Sequence, residues 1–170
     1  VDVWARILQA VPHSRLFLKA KQLDDAATRA TTLARFAERG IDSSRLMLEG
    51  RSPRTEYFAA YNRVDIALSP FPYPGGTTSV EGLWMGVPVL CRRGDRFLSN
   101  ICASMLHSAG LADWIAQDND DYVAKAIAFA GDVSHLAALR ARLRATMLAS
   151  PLCDAKRYAR NLEDAFEAMW

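Results

Sequence analysis

Short apolar runs alternate with longer helical patterns along most of this chain. The runs are three to five residues long, which predicts buried strands. They lie at 16–18, 46–48, 64–68, 87–91 and 114–116. Strands that alternate with helices are typical of a parallel sheet covered by helices on both faces. The pattern predicts an α/β, Rossmann-like fold with one domain over residues 1–170.

Helical segments fill the intervals between these strands. Those at 4–11, 26–39 and 97–108 end at helix-breaking residues, namely Pro12, Gly40 and Gly110. Ser52-Pro53 is typical of an N-cap with proline at the first helical position, and predicts a helix to about Arg63. From Asp120 the chain is almost purely helical, with breaks near Gly131 and at Ser150-Pro151. We therefore expect a helical C-terminal tail.

Composition narrows the class of protein without identifying it. The formal net charge of +2 is too balanced to indicate binding to nucleic acid or to a membrane. Three separated cysteines, without a CxxC pair, favour reduced, buried thiols in a cytoplasmic protein over a disulfide framework or a zinc site. The sequence shows no signal peptide and no membrane-length apolar run, and it does not begin with Met. We expect a piece of a longer cytoplasmic polypeptide.

The loop after the strand at 64–68 carries the most informative chemistry. Ligands of open α/β sheets bind beyond the carboxyl ends of strands, and this loop reads FPYPGGTTSVEGLW from Phe71. Gly75-Gly76 permits close approach of a ligand to the backbone. Thr77 and Thr78 then offer hydroxyls and free N–H groups at a helix N-terminus, which favours phosphate binding.

A purely structural interpretation of the same residues, without a ligand, stays open at this point. Thr78-x-x-Glu81 has the spacing of a capping box, which needs no ligand. Ser52-Pro53 can be only a helix start, and Arg51 and Arg54 can be solvated. The three histidines are isolated, and no GxGxxG, Walker or GxSxG motif is present. Local chemistry thus predicts an anion-binding pocket and no more.

The long segment VDIALSPFPYPGGTTSVEGLWMGVPVLCRRGDRFLSNICASMLHSAGLADWIAQDNDDYVAKA resembles the C-terminal catalytic half of the O-linked N-acetylglucosamine transferase family. Bacterial members of that family, often SPINDLY-like, typically carry tetratricopeptide repeats ahead of the transferase. The resemblance runs along the whole chain, from Trp4 to Met169-Trp170. It implies a GT-B fold, in which two Rossmann-like halves enclose the active site and the C-terminal half holds the UDP-sugar donor.

The resemblance also implies roles for individual residues. Thr77 and Thr78 would donate to the diphosphate, and Glu81 would accept from the ribose hydroxyls. The uracil edge would be recognised by the backbone of Ser52. Arg54 stands where some members have a Lys near the diphosphate. Tyr57 stands where some members have a His.

Several positions depart from the family pattern. Gly76 stands where some members have His, and Asn100 replaces a common Arg. The family's Gln-x-x-Lys motif, whose Lys stabilises departing UDP, belongs just upstream of Trp4 and is not in this sequence. We expect the first strand of the half-domain to be missing with it, and this chain to contain no catalytic residue.

The resemblance implies transfer of N-acetylglucosamine from UDP-N-acetylglucosamine to Ser or Thr of a protein, with inversion and without metal or cofactor. The partners would be the nucleotide-sugar donor, the protein acceptor and the N-terminal half of the same polypeptide. This chain alone would bind UDP weakly and catalyse nothing. Two alternatives are a UDP-glucose-dependent Asn glycosyltransferase of the same family and a non-catalytic interaction module.

Overall fold

The computed structural model describes residues 1–170. Five short strands form: β1 (Leu16–Lys19), β2 (Leu46–Glu49), β3 (Ala67–Leu68), β4 (Val89–Arg92) and β5 (Ile115–Ala116). The helices are α1 (Asp2–Ala10), α2 (Ala26–Ala37), α3 (Arg54–Ala60), α4 (Thr77–Trp84), α5 (Ile101–Ser108), α6 (Asn119–Gly131), α7 (Val133–Leu148) and α8 (Ala155–Met169). The predicted alternation and the helical C-terminal tail are confirmed. None of the helices combines the length and apolarity needed to span a bilayer.

Helix ends follow the local chemistry of their sequences. Gly40 and Gly110, just beyond α2 and α5, adopt φ of 72°, which a residue with a Cβ rarely adopts. Aspartate side chains accept hydrogen bonds from first-turn amides of four helices; they are Asp25, Asp118, Asp132 and Asp154. These signals are contained in the sequence, which is why the helix boundaries were largely predictable.

All the strands run parallel, but they form two hydrogen-bonded sheets. One sheet pairs β1 with β2, with Leu16 opposite Leu46. The other has the order β3-β4-β5, with Ala67 opposite Val89 and Cys91 opposite Ile115. The edge of β1 away from β2 and the edge of β3 away from β4 are therefore unpaired. The prediction of parallel strands is confirmed, and their division into two sheets is a finding of the structure.

Two apolar clusters stabilise the fold. The larger, of 19 buried residues, surrounds β4 and includes residues of α5, α6 and α7. The smaller, of six, lies against β1 and β2 under α1 and α2. Trp4 and Leu68 pack against both clusters and join them. The joined clusters hold the carboxyl ends of the strands, and the loops that follow them, in fixed positions.

Candidate functional site

Helix α4 presents free backbone donors at its N-terminus. The amides of Gly76, Thr77 and Thr78 have no acceptor within the chain, and no side chain caps the helix. Both threonine side chains are exposed. Free N–H groups, the positive end of the helix dipole and two hydroxyls favour an anion at this position. The structure therefore gives the predicted phosphate-binding residues an open helix terminus.

The loop that leads into α4 is held by two buried serines. Ser69 Oγ accepts from the Gly75 amide at 3.1 Å, and Ser79 Oγ donates to the Gly75 carbonyl at 2.9 Å. A Cβ on Gly75 would lie 2.7 Å from both Thr78 Oγ1 and Ser79 Oγ, whereas one on Gly76 would meet only Ile101, at 3.9 Å. Of these two glycines, only Gly75 lacks room for a Cβ unless neighbouring side chains move, and those side chains belong to this chain.

Glu81 bonds to helix α3 instead of capping α4. Tyr57 Oη donates to Glu81 Oε2 at 2.8 Å and lies 3.0 Å from Tyr61 Oη. Tyr61 also donates to the Thr78 carbonyl at 3.2 Å. The predicted capping box is wrong, because helix α4 begins after Gly76, so that Thr78 and Glu81 both lie within the helix. Burial raises the pKa of Tyr57, as do its hydrogen bonds to Tyr61 and Glu81, so its hydroxyl stays a donor at physiological pH.

A groove of about 270 Å³ opens between the two sheets and reaches the start of α4. Its walls come from β1, α3, β3 and the first turn of α4. The lining residues are Phe17, Lys19, Tyr57, Ala60, Tyr61, Val64, Leu68 and Thr78. Tyr57 and Thr78 were predicted from the sequence, whereas Lys19 and Tyr61 were missed. The position of Lys19 at the carboxyl end of a strand was the available signal, since ligands of such sheets bind there.

A small ion cluster at the ends of β1 and β2 includes Lys19, which lines this groove. Lys19 Nζ lies 3.2 Å from Glu49 Oε2, and Arg63 approaches both oxygens of the same carboxylate. Hydrogen bonds from Arg63, and then from Lys19, lower the pKa of Glu49. The Lys19 side chain is only 14% exposed, so its ammonium is held close to the groove and is only partly screened by water.

The residues expected to bind the base lie in the neighbouring loop and in the first turn of α3. Pro53, and not Ser52, occupies the N-cap position, so the predicted N-cap is wrong. Ser52 Oγ is buried and has no hydrogen-bond partner. Arg54 is exposed, with its guanidinium 5.2 Å from the centre of the Phe58 ring. Tyr57 thus contacts Glu81 directly and is connected to the Thr78 carbonyl through Tyr61. Ser52 and Arg54 lie outside this hydrogen-bond network.

Other predicted features have structural explanations. The Asn100 side chain donates to the carbonyls of Gly94 and Arg96, and so closes the loop after β4. Cys91 and Cys102 are buried, but Cys153 is exposed, so the expectation of buried thiols fails at one position. The Cys102 thiol donates to Ser79 Oγ at 3.4 Å, next to the loop that leads into α4.

The family model for glycosyl transferase family 41 matches residues 1–162. The chain is 40% identical over 171 aligned residues to the tomato protein (Solanum lycopersicum) named probable UDP-N-acetylglucosamine–peptide N-acetylglucosaminyltransferase SPINDLY. It is 29% identical to a Caenorhabditis elegans protein named UDP-N-acetylglucosamine–peptide N-acetylglucosaminyltransferase. Both matches cover the whole of this chain, which spans only 18% and 14% of those proteins.

A solved structure agrees with these sequence matches. The chain is similar to an O-GlcNAc transferase mutant of Thermobaculum terrenum, with a TM-score of 0.93 and 38% sequence identity. The overlay covers 99% of this chain and 32% of the other. The predicted fold, the C-terminal Rossmann-like half of a GT-B glycosyltransferase, is thereby confirmed.

Proposed function

The chain belongs to glycosyltransferase family 41, and we propose that it is the donor-binding half of an inverting protein O-glycosyltransferase. The proposed reaction transfers N-acetylglucosamine from UDP-N-acetylglucosamine to a Ser or Thr hydroxyl of a protein. The names of the relatives support this donor and a peptide acceptor. Because the chain spans only 18% of the tomato relative, the acceptor half is proposed to come from the same polypeptide, upstream.

The free amides at the start of α4 carry this proposal. When the acceptor oxygen attacks the anomeric carbon, negative charge grows on the departing diphosphate. The unpaired N–H groups of Gly76, Thr77 and Thr78 are already oriented, so they stabilise that charge with little reorganisation. The two threonine hydroxyls add donors on the same side. This chain would thus stabilise the leaving group.

The proposed contacts to the nucleoside lie on either side of this helix. Glu81 would accept from the ribose hydroxyls, with its carboxylate held in place by the Tyr57 hydroxyl at 2.8 Å. Ser52 would meet the uracil edge through its backbone. Arg54 has no hydrogen-bond partner in the chain, so its guanidinium is available to a phosphate.

The groove between the sheets is proposed to receive the first strand of the half-domain. The edges of β1 and β3 that face away from their partners are unpaired, and a strand with unpaired N–H and C=O groups accepts another strand readily. A strand from the polypeptide upstream of Val1 would join the two sheets into one. A lysine after that strand, as the family pattern has it, would then enter the site near Thr78.

Calorimetric titration with UDP tests the assignment of the phosphate site. Thr77→Ala/Thr78→Ala should weaken UDP binding at least about tenfold, because hydrogen bonds to charged groups contribute roughly 1.5–3 kcal/mol each. The matched control is Thr31→Ala/Thr32→Ala, an adjacent threonine pair on α2, which should leave UDP binding unchanged. Equal UDP affinity in both double variants would refute the site.

A donor screen on the full-length polypeptide tests the proposed reaction itself. Turnover with UDP-N-acetylglucosamine and a Ser- or Thr-containing protein is the expected outcome. Turnover only with UDP-glucose and an Asn acceptor would instead support the first alternative. Absence of turnover with every UDP-sugar, in a polypeptide that still binds UDP, would support a non-catalytic module.

A further inference from the structure

A second pocket, of about 330 Å³, lies beside helix α5. It is bounded by the residue that follows β4, by one face of α5 and by the edge strand β5. The lining residues are Arg93, Asn100, Ala103, Ser104, His107 and Ile115. Positions 100, 103, 104 and 107 recur at helical spacing, so their side chains share one face of the helix. The pocket is called here the α5 pocket.

The α5 pocket offers hydrogen-bond donors that the chain does not use. The side chains of Arg93, Ser104 and His107 are exposed and have no hydrogen-bond partner in the chain. Asn100 differs, because its side-chain amide donates to two carbonyls of its own loop. No acidic residue lines the pocket, so nothing there neutralises the charge of Arg93. A guanidinium, a hydroxyl and an imidazole around one space favour an anionic ligand.

The loop between β4 and α5 is held firmly, so these donors are already in place. The Arg93 amide donates to the Ala116 carbonyl at 2.7 Å, which ties the start of the loop to β5. Asn100 Oδ1 accepts from the Gly94 amide at 3.2 Å and closes the loop. Helix α5 itself is anchored in the larger apolar cluster. A ligand that meets such a site pays less conformational entropy than one that must order it.

The α5 pocket is separated from the proposed donor site by the width of one helix. A Cβ on Gly76 would lie 3.9 Å from Ile101, and the Cys102 thiol bonds to Ser79, so α4 and its loop lie on the side of α5 that carries positions 101 and 102. The helical period of 3.6 residues puts the pocket face on the opposite side. A helix with its side chains is about 10–12 Å wide. An anion in this pocket is therefore not the diphosphate of the donor.

The tip of the same loop indicates what kind of molecule carries the anion. Phe97 and Leu98, between the pocket residues Arg93 and Asn100, are 88% and 52% exposed. A free inorganic anion gains nothing from these apolar side chains, whereas a polypeptide packs against them. Aromatic residues and arginine are enriched where proteins bind other proteins. Both features favour a polypeptide that brings an acidic side chain.

We propose that the α5 pocket binds a carboxylate side chain of the acceptor protein, about three or four residues from the modified Ser or Thr. The spacing follows from the helix width, because an extended chain covers about 3.3–3.6 Å per residue. This inference rests on the proposed function, since it takes the bound polypeptide to be the acceptor. The pocket would select acidic acceptor sequences and take no part in the transfer itself.

Fluorescence anisotropy of labelled peptides on the full-length polypeptide tests this selection. Each peptide has one Ser in a neutral background and a single Glu at a varied position on either side, and its partner peptide has Gln there. With Glu three or four residues from Ser on one side, the peptide should bind about three- to tenfold more tightly than its Gln partner, as expected for a partly exposed, hydrogen-bonded charge pair. Arg93→Gln should remove the difference, and Arg93→Lys, which keeps the charge, should retain most of it. The matched control, Arg35→Gln on the exposed side of α2, should leave it unchanged.

Three results would overturn the proposal. The first is equal binding of the Glu and Gln peptides at every position. The second is a preference for Glu that Arg93→Gln leaves intact. The third is a preference that saturating UDP abolishes, which would place the carboxylate at the donor phosphates. Peptide binding is measured with and without UDP and needs no turnover, so failure of this proposal is distinguishable from failure of the proposed function, which UDP titration and the donor screen measure.

Discussion

Substitution of Glu81 tests the proposed ribose contact most sharply. The carboxylate is half-buried and receives one hydrogen bond, from Tyr57 Oη at 2.8 Å. A carboxylate offers about four acceptor positions on its two oxygens, so the tyrosine leaves room for both ribose hydroxyls. If Glu81 accepts from the ribose, Glu81→Ala should weaken UDP binding, because the hydroxyls then lose a charged acceptor in the bound state.

The expected magnitude follows from that contact. A hydrogen bond to a charged acceptor contributes about 1.5–3 kcal/mol, which corresponds to a roughly ten- to hundredfold loss of UDP affinity. The folded protein should be little affected, because the Tyr57 hydroxyl keeps Tyr61 Oη as a neighbour at 3.0 Å. Any loss of stability should therefore stay near about 1 kcal/mol.

Isothermal titration of the wild type and of Glu81→Ala with two nucleotides gives a thermodynamic cycle for the ribose contact. The wild-type protein should bind 2′,3′-dideoxyuridine diphosphate more weakly than UDP, and Glu81→Ala should bind both equally. Thr77→Ala/Thr78→Ala, which acts on the phosphates, should instead weaken both nucleotides by the same factor. If Glu81→Ala weakened UDP and its dideoxy analogue equally, Glu81 would not contact the ribose and the reasoning would fail.

Two further predictions concern the loop and the ion cluster. Gly75→Ala should lower both stability and UDP affinity, because its Cβ would lie 2.7 Å from Thr78 Oγ1, whereas Gly76→Ala should be tolerated. Thermal unfolding and titration with UDP compare the two variants, and equal effects of both would contradict this packing argument. Glu49 has a pKa held below its ordinary 4.5 by Arg63, so its ion pairs stabilise the fold above that pH and stop doing so as acid protonates the carboxylate. Glu49→Gln should therefore lower the urea midpoint at pH 7, and this difference should shrink progressively as the pH falls below 4.5. A pH-independent difference would exclude this cause.

The sequence predicted those parts of the fold that depend on local chemistry. Glycines with φ of 72° end α2 and α5 where expected, and the free amides of α4 follow from a Gly-Gly turn ahead of a helix. Strand positions were correct to within a few residues, since apolar runs of that length leave little alternative. The candidate phosphate site could be proposed from the sequence because it is made of consecutive residues.

The errors arose where a tertiary contact competes with a local one. Thr78 and Glu81 have capping-box spacing, but Tyr57, 24 positions earlier, takes the carboxylate. Spacing alone cannot reveal that competition, because it depends on how α3 packs beside α4. Lys19 was missed although it lies at the carboxyl end of a strand, because only the fold shows that β1 comes close to the first turn of α4.

The hydrogen bond between Tyr57 and Glu81 also bears on how the site responds to a donor. It joins α3, which follows the Ser52 loop, to α4, which presents the free amides proposed to bind phosphate. Burial keeps the Tyr57 hydroxyl protonated, so this link persists across physiological pH. The elements proposed to hold the base, the ribose and the diphosphate are therefore already connected before UDP arrives. A site connected in this way loses less conformational entropy on binding, which favours a rigid donor half, with the larger motions being those relative to the proposed acceptor half.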